Sequence, residues 1–269
     1  MVSYINKVVS GSLLLCLFAL LSLLTSCDNI SESERLIYVK PAAAKRVVLL
    51  EDFTGQRCVN CPRATDVIEQ LQDSLGDALV AVGIHGGPLG VHATPTVNGL
   101  ATDLGDEYYN HWHLEFQPVG LVNRHGAVNY GDWATEVMKE LAREAPMQLT
   151  AAAIYNEHDS IDIDIIATGT DGTTTGKLQL WLLEDSITAI QMMPDGSRNT
   201  AYVHNHVLRR AVNGSWGDDF TVNEGKDLNR HYSVKPEDAW RRDQLSVVAF
   251  VYNDSGVQQA IKVKVKSEK

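Results

Sequence analysis

The sequence predicts an α/β domain over residues 36–146 and an all-β domain over residues 147–269. In the first range, apolar blocks of strand length alternate with stretches whose apolar residues have helical spacing. In the second range, short segments alternate apolar and polar residues between turn-forming clusters. The pair Cys58 and Cys61 stands where the first strand-like block meets the first helical stretch. This position predicts a functional site in the α/β domain.

The first 26 residues have the layout of a bacterial export signal. Lys7 gives the positive flank, and residues 8–24 contain almost no polar side chain. This run is shorter than the roughly 20 apolar residues that span a bilayer, so we expect it to be removed. It ends in Leu24-Thr25-Ser26-Cys27, which resembles a lipobox and predicts cleavage before Cys27 and acylation of its thiol. The alternative is an ordinary signal peptide with a cysteine near its end.

Removal of residues 1–26 would leave 243 residues with a formal charge of −12, since 34 acidic residues would face 22 basic ones. That length suffices for two domains. The negative charge disfavours nucleic acid and anionic membrane surfaces as partners. We therefore expect membrane attachment through the acyl chains on Cys27, with residues 27–35 as a lipidated, solvated tether.

Each element of the α/β domain is predicted from its apolar pattern and its flanking breakers. The predicted strands are residues 36–39, 47–53, 78–84 and 118–123, and the predicted helices are residues 62–75, 100–114 and 133–145. Residues 86–98 contain glycine and proline breakers and are predicted to form a loop. This order of strands and helices predicts a layered domain.

The all-β domain is predicted from strands that bury one face only. Ile161, Ile163 and Ile165 alternate with aspartates, and residues 261–265 alternate apolar residues with lysines. Further strands are predicted at residues 148–155, 177–183, 202–211 and 244–252. Several strands with few helices predict an antiparallel sandwich of the immunoglobulin-like type. The stretch 185–242 is otherwise irregular.

The mature chain would keep two thiols, because Cys16 would leave with the signal and Cys27 would be acylated. In an exported compartment, a disulfide between Cys58 and Cys61 can persist. A cysteine at a helix N-terminus has a lowered thiol pKa, and Arg57 would add to this effect at Cys58. We expect Cys58 to attack and Cys61, one turn further on, to act as the resolving thiol.

Two other roles of the cysteine pair stay open. A disulfide that closes a four-residue loop contributes only about 2 kcal/mol in the chain-entropy model, so the spacing is a poor way to stabilise a domain, but a redox-silent disulfide is compatible with it. Two cysteines also supply half of a tetrahedral zinc site, which His85, His92 or His125 could complete. We favour redox exchange and expect no cofactor and no metal.

Residues 52–62 resemble the active-site segment of thioredoxins, including an aspartate, Asp52, six residues before the first cysteine. Pro118 resembles the cis-proline that heads the next strand in that family. The resemblance implies a thioredoxin-like fold, catalytic roles for Cys58 and Cys61, and packing of Pro118 against their disulfide. It implies that Asp52 assists proton transfer at Cys61; the alternative is a carboxylate that hydrogen-bonds a nearby turn.

The resemblance also implies where substrate binds. The backbone of Gln117 would receive an extended peptide as an added strand. Arg57 replaces the tryptophan that usually precedes the first cysteine in the family, and we count it with Gln117 as a substrate-binding residue. The separation of Cys58 from Pro118 is longer than in a minimal thioredoxin, so an insertion over about residues 85–114 is expected to lie over the site.

Over most of its length, the sequence resembles the 28-kilodalton outer-membrane lipoprotein family of Bacteroidetes. Residues 54–62 fit the Thr-Gly-x-Arg-Cys-x-Asn-Cys-Pro segment of that family, and residues 202–209 resemble its C-terminal block. The resemblance implies a lipid anchor in the outer membrane, facing the periplasm or the cell surface.

Other candidate sites are weaker. His204 and His206 would project from the same face of a strand, a geometry that can hold zinc or copper, although a solvent-facing polar strand is the simpler interpretation. Tyr108, Tyr109 and Trp112 could line a peptide groove or simply pack the inserted helix.

Two functions are therefore predicted from the sequence. The favoured one is thiol–disulfide exchange with exported proteins or peptides through Cys58 and Cys61. The alternative is a non-catalytic surface binding or adhesion lipoprotein in which the same pair forms a structural disulfide.

Overall fold

Residues 40–267 are described by the computed structural model of the chain. The predicted export signal, the lipidation site Cys27, the tether and the strand at residues 36–39 lie outside the described residues. Within residues 40–267, none of the helices has the length and apolar character needed to cross a bilayer.

The first half of this range alternates strands and helices. Its elements are β1 (Val48–Thr54), α1 (Cys61–Leu75), β2 (Leu79–His85), α2 (Asp103–His111), β3 (Val119–Val122), β4 (Ala127–Asn129) and α3 (Trp133–Leu141). Short 3-10 turns precede β2 and α3. The structure confirms the predicted strands and helices that fall within residues 40–146 and adds the short strand β4, which was not predicted.

Strands β1 to β4 form one layer in the order β2-β1-β3-β4. β1 and β2 are parallel, as expected for strands joined by a helix, whereas β3 is antiparallel to β1 and β4 to β3. Helices α1 and α3 cover one face, where Ile68 and Trp133 pack on Val48 and Leu50. This arrangement agrees with the predicted thioredoxin-like domain.

Helix α2 is shorter than the predicted segment 100–114, because Thr102 caps it by accepting a hydrogen bond from the Gly105 amide at 3.0 Å. The helix approaches the end of β2 very closely. A Cβ atom on Gly105 would lie 2.1 Å from the carbonyl oxygen of His85. Glycine is therefore required there.

The second half consists almost entirely of strands. They are β5 (Met147–Tyr155), β6 (Ile161–Gly169), β7 (Thr173–Glu184), β8 (Ile187–Met192), β9 (Arg198–His204), β10 (Val207–Ala211), β11 (Asp218–Asn223), β12 (Asp227–Val234), β13 (Leu245–Asn253) and β14 (Gly256–Lys264). A three-stranded sheet, β12-β6-β5, packs on β7, β11 and β13 through a hydrophobic core that includes Ile163, Leu180 and Val247. Antiparallel packed strands are confirmed; the immunoglobulin-like type stays a prediction.

One nine-stranded sheet runs through both halves. Its path is β14-β13-β7-β10-β2-β1-β3-β4, with β11 paired to β7. The link between the halves is short: β10 pairs with β2 at Val207 and Gly83, and the Gly83 amide donates to the His206 carbonyl oxygen at 2.8 Å. The domain boundary at residue 146 remains a prediction. The nine-stranded sheet contains strands from both sides of that residue in the chain.

The predicted single strand over residues 202–211 is wrong. β9 ends at His204, and the chain turns at His206, whose φ is 58°. β9 then pairs with β8 in a separate hairpin, while β10 joins the large sheet. The stretch 185–242, irregular in sequence, thus holds five strands.

Candidate functional site

Cys58 and Cys61 form a disulfide, with their Cα atoms 5.4 Å apart. The pair lies between β1 and α1. The prediction that Cys58 occupies the helix N-terminus is wrong, because α1 begins at Cys61 and Cys58 lies in the preceding turn, where its amide donates to Gly55 O at 3.0 Å. Pro62 stands in the first turn of α1, where its missing N–H costs nothing. No acidic residue in that turn opposes the partial positive charge of the helix end.

Both cysteines are deeply buried, each with only 2% of its surface exposed. Leu89, in the loop after β2, accepts a hydrogen bond from the Arg57 amide at 3.0 Å. The side chain of Gln56 accepts from the Leu100 amide at 2.8 Å and donates to the carbonyl oxygen of Asn98 at 3.1 Å. The segment after β2 therefore covers the cysteine turn, in agreement with the predicted insertion.

The β8–β9 hairpin covers the turn from another direction. The Met192 amide donates to Gln56 O at 2.9 Å, and Gln56 Nε2 donates to the Ile190 carbonyl oxygen at 3.1 Å. The side chain of Gln191 is buried and donates to the carbonyl oxygens of Gly55 and Cys58. Sequence reasoning missed this hairpin, although a Pro194-Asp195-Gly196 turn signal lies between its strands.

Gln117 and Pro118 lie next to the end of β1. The peptide bond between them is cis, and Val119 pairs with Phe53 across β3 and β1. The Gln117 side chain donates to Thr54 O at 2.7 Å and to the Gly86 carbonyl oxygen at 3.0 Å, which holds this loop against the site. Within residues 40–267, the backbone of Gln117 makes no hydrogen bond.

The rim of the site is exposed. Arg57 lies at the surface. Its substrate-binding role stays a prediction. Val59, between the two cysteines, is 40% exposed, and Phe116, two residues before Pro118, is 49% exposed. The turn between the cysteines and the loop before Pro118 therefore each expose one large apolar side chain to solvent.

Asp52 is buried on β1, two residues before the end of the strand. Burial raises the pKa of its carboxyl group to about 8. Among the described residues, Asp52 Oδ1 has no hydrogen-bond partner. Oδ1 therefore does not bond a nearby turn, which was the alternative role of this carboxyl group.

A cavity of about 40 Å³ adjoins the buried side of the disulfide. Its walls include Asp52, Cys61, His85 and His204. The rings of the two histidines are 5.3 Å apart. Burial lowers the pKa of His204 to about 4. The pKa of His85 is well below its usual range, mainly because of burial and to a lesser extent because of His204 and Arg209. Both rings are therefore neutral near pH 7, and the prediction of a solvent-facing His204 is wrong.

The metal-ligand sets considered as alternatives are not assembled among residues 40–267. In the disulfide, neither cysteine offers a thiolate. His125 contacts Glu140 at 3.3 Å, and His206 contacts Gln72 and Asp185, each at 3.0 Å. Ligand atoms of His92, Asp103 and Asp106 lie within 4.8 Å of one another, but this group is largely exposed.

The inserted helix α2 packs rather than forming an open groove. Tyr108 and Tyr109 are buried in the core on the far face of the sheet. Trp112 is partly buried against the same core.

Comparison with known proteins assigns the family. The sequence model of the family described as Outer membrane protein Omp28 matches residues 105–269. The chain belongs to the Omp28 outer membrane protein family. Membership confirms the predicted family; residues 202–209 lie within the matched range and residues 54–62 lie outside it. No curated protein sequence matches the chain.

Two solved structures extend the comparison to individual proteins. A domain of the outer membrane lipoprotein Omp28 from Porphyromonas gingivalis is 30% identical, covering 46% of this chain and 92% of that domain, with a TM-score of 0.34. HBP35 of Porphyromonas gingivalis is 15% identical, covering 84% of this chain and 77% of that protein, with a TM-score of 0.64. The latter similarity establishes a shared fold. This member of the Omp28 family is mostly β, with few helices.

Proposed function

We propose that this Omp28 family member exchanges disulfides with exported proteins or peptides through Cys58 and Cys61. The observation that carries the proposal is the Cys58–Cys61 disulfide, which joins the turn after β1 to the start of α1, beside the buried carboxyl group of Asp52. A cysteine pair in such a turn, next to helix amides, is typical of exchange proteins.

The chemistry needs no cofactor. The Cys58 thiolate attacks one sulfur of a substrate disulfide, and the other substrate sulfur leaves as a thiolate. Asp52 takes the proton of the Cys61 thiol, whose sulfur then attacks Cys58. The mixed disulfide breaks, the second substrate sulfur leaves as a thiolate, and the Cys58–Cys61 disulfide is formed. A carboxyl group with a pKa near 8 suits this transfer near neutral pH.

An extended segment of a protein or peptide is the substrate that the rim supports best. Val59 and Phe116 offer exposed apolar surface, and the backbone of Gln117 can pair with an added strand. Arg57 would contact acidic side chains of that segment.

We also propose that Cys27 is acylated and anchors the protein in the outer membrane. Support comes from the lipobox-like residues 24–27 and from the relative described as an outer membrane lipoprotein. The family description supports a location at the outer membrane. With a lipid anchor at Cys27, the folded part lies either on the periplasmic side or at the cell surface.

A second candidate function rests on the burial of both cysteines. A disulfide with 2% exposure on each cysteine resists attack by a protein thiolate, as a structural bond in a surface binding lipoprotein would. This candidate predicts a disulfide that stays formed in the redox buffers of the cell envelope.

The reduction potential separates the two functions. A soluble form that starts at Asp28 is equilibrated with defined thiol–disulfide buffers. A potential between about −270 and −120 mV supports exchange, whereas a value below about −300 mV assigns a structural disulfide. As a second test, the Cys61→Ser variant is expressed in cells. If the protein exchanges disulfides, partner proteins should be captured as mixed disulfides with Cys58. The double variant Cys58→Ser/Cys61→Ser is the matched control, and equal yields from both would contradict exchange.

A further inference from the structure

The cavity beside Cys61 is built by strand alternation and one glycine. Asp52 and Thr54 on β1 stand opposite Gly83 and His85 on β2, and all four residues face α1. Because Gly83 has no side chain, space remains there, and His204 of the β8–β9 hairpin closes it. The second half of the chain thus contributes a wall to the proposed redox centre of the first.

Three polar groups of this cavity share one property. Among the described residues, Asp52 Oδ1, His85 Nδ1 and His204 Nε2 each have no hydrogen-bond partner. Buried polar atoms are normally paired with protein or with ordered water. A polar cavity of about 40 Å³ has the volume for at least one water molecule, which typically makes about three hydrogen bonds.

The surroundings of His204 favour one tautomer of its ring. The backbone groups of Ala189 and Ile190 in the hairpin favour a protonated ring nitrogen. Nε2 has no partner among the described residues, so with the proton on Nδ1 it is an acceptor. His204 can therefore accept a hydrogen bond from water in the cavity.

We infer that His204 is a positioning residue for proton transfer at Cys61, acting through water in the cavity that it shares with Asp52 and His85. The inference deepens the proposed exchange function and rests on it for its physiological use. During reduction, an external thiolate attacks the sulfur of Cys58 and the bond to Cys61 breaks. Cys61 leaves with the electron pair and takes the proton of the Asp52 carboxyl group, which His204 and water hold in line.

Other charged and titratable groups also face this region and remain unchanged in the variants below. They are Glu69 on α1, His85 on β2, Tyr202 on β9, His206 in the turn after β9 and Arg209 on β10. Their constant presence isolates the contribution of His204.

The test is the rate at which dithiothreitol reduces the Cys58–Cys61 disulfide from about pH 5.5 to 9.5, divided by the thiolate fraction of the reagent. In the wild type, this rate should fall above about pH 8 as Asp52 loses its proton. His204→Leu should slow it at least about fivefold at pH 7, and His204→Gln, which keeps an acceptor, should stay within about twofold of the wild type. His158→Leu, at an exposed histidine on the β5–β6 turn, is the matched control.

A second variant protects the test against misfolding of His204→Leu. In Gly83→Ala, the new Cβ atom would lie 3.6 Å from Asn205 O and 3.7 Å from His206 O, which are ordinary contacts. The fold should persist while the cavity shrinks, and the rate should fall at least about threefold.

Two results would overturn the inference. One is a rate within about twofold of the wild type at every pH for both His204→Leu and Gly83→Ala. The other is equal slowing by His204→Leu and His204→Gln with an unchanged pH profile, which would assign His204 to packing. A small dithiol reports chemistry at Cys61 whatever the natural partner is, so a failure of the proposed exchange function would be read separately, from the reduction potential and the trapping yield.

Discussion

Gln191 Nε2 donates a hydrogen bond of 2.8 Å to the carbonyl oxygen of Cys58. The two residues are 133 positions apart in the chain. Gln191 also donates to the Gly55 carbonyl oxygen at 3.3 Å, so one side chain of the β8–β9 hairpin satisfies the backbone on both sides of the cysteine turn. The hairpin is therefore part of the structure around the Cys58–Cys61 disulfide.

Replacement of Gln191 should loosen this cover. In Gln191→Ala, the buried carbonyl oxygens of Gly55 and Cys58 each lose one of their donors, which should lower the free energy of unfolding by about 1–3 kcal/mol. The disulfide should then react faster with dithiothreitol. Urea unfolding and reduction kinetics measure the two effects. Gln148→Ala, at an exposed position on β5, is the control; equal effects of both variants would contradict the role of the hairpin.

Asp52 should make stability fall as pH rises. Its carboxyl pKa is about 8 in the folded chain against an ordinary value of 3.8, so the folded state binds the proton more tightly. Between these values the folded state holds more protons than the unfolded state, and unfolding becomes easier with increasing pH. Relative to Asp52→Asn, the oxidised wild type should lose on the order of 5 kcal/mol from pH 4 to pH 8. Parallel unfolding curves for both proteins over this range would contradict the raised pKa.

His204 should make the folded chain less stable as pH falls. Its pKa falls from 6.5 to about 4 on folding, so below pH 6.5 the unfolded chain takes up a proton that the folded chain does not. The wild type should lose about 3 kcal/mol more than His204→Gln as pH falls from 6.5 to 4. Chemical denaturation at several pH values measures this difference, with His158→Gln as the exposed control.

The buried ion pair of Glu51 and Arg124 should tolerate paired replacement better than single replacement. Their atoms Oε1 and Nη2 lie 2.9 Å apart, and the guanidinium carbon lies 4.3 Å from the ring centre of Tyr252. Arg124→Met would leave the Glu51 carboxylate buried without its partner, at a cost of about 3–5 kcal/mol. Glu51→Leu added to Arg124→Met should restore much of this loss. Additive losses in urea unfolding would show that the pair is not coupled.

The sequence predicted the elements that carry strong local patterns. The apolar run of β1, the helical spacing of α1 and the breakers after β2 all correspond to observed structure. The disulfide partners were evident because two closely spaced cysteines follow the predicted leader. These features depend on residues near one another in the chain.

The buried wall of the site could not be predicted in this way. In β9, residues such as Arg198 and Thr200 are exposed, and only His204 at its end is buried, so the strand has no apolar pattern. The burial of His204 comes from long-range contact with His85, which no local pattern records. The turn residues 194–196 were the available signal for the hairpin.

The pairing of β10 with β2 makes the two halves of the chain mutually dependent. A chain ended at residue 146 would leave β2 as an open edge and would remove Gln191 and His204 from the cysteine turn. The half that carries the cysteine pair could not then be transplanted as a self-contained module. Mutation in the C-terminal strands thus offers a means to tune the reactivity of a cysteine pair that lies more than a hundred residues earlier in the chain.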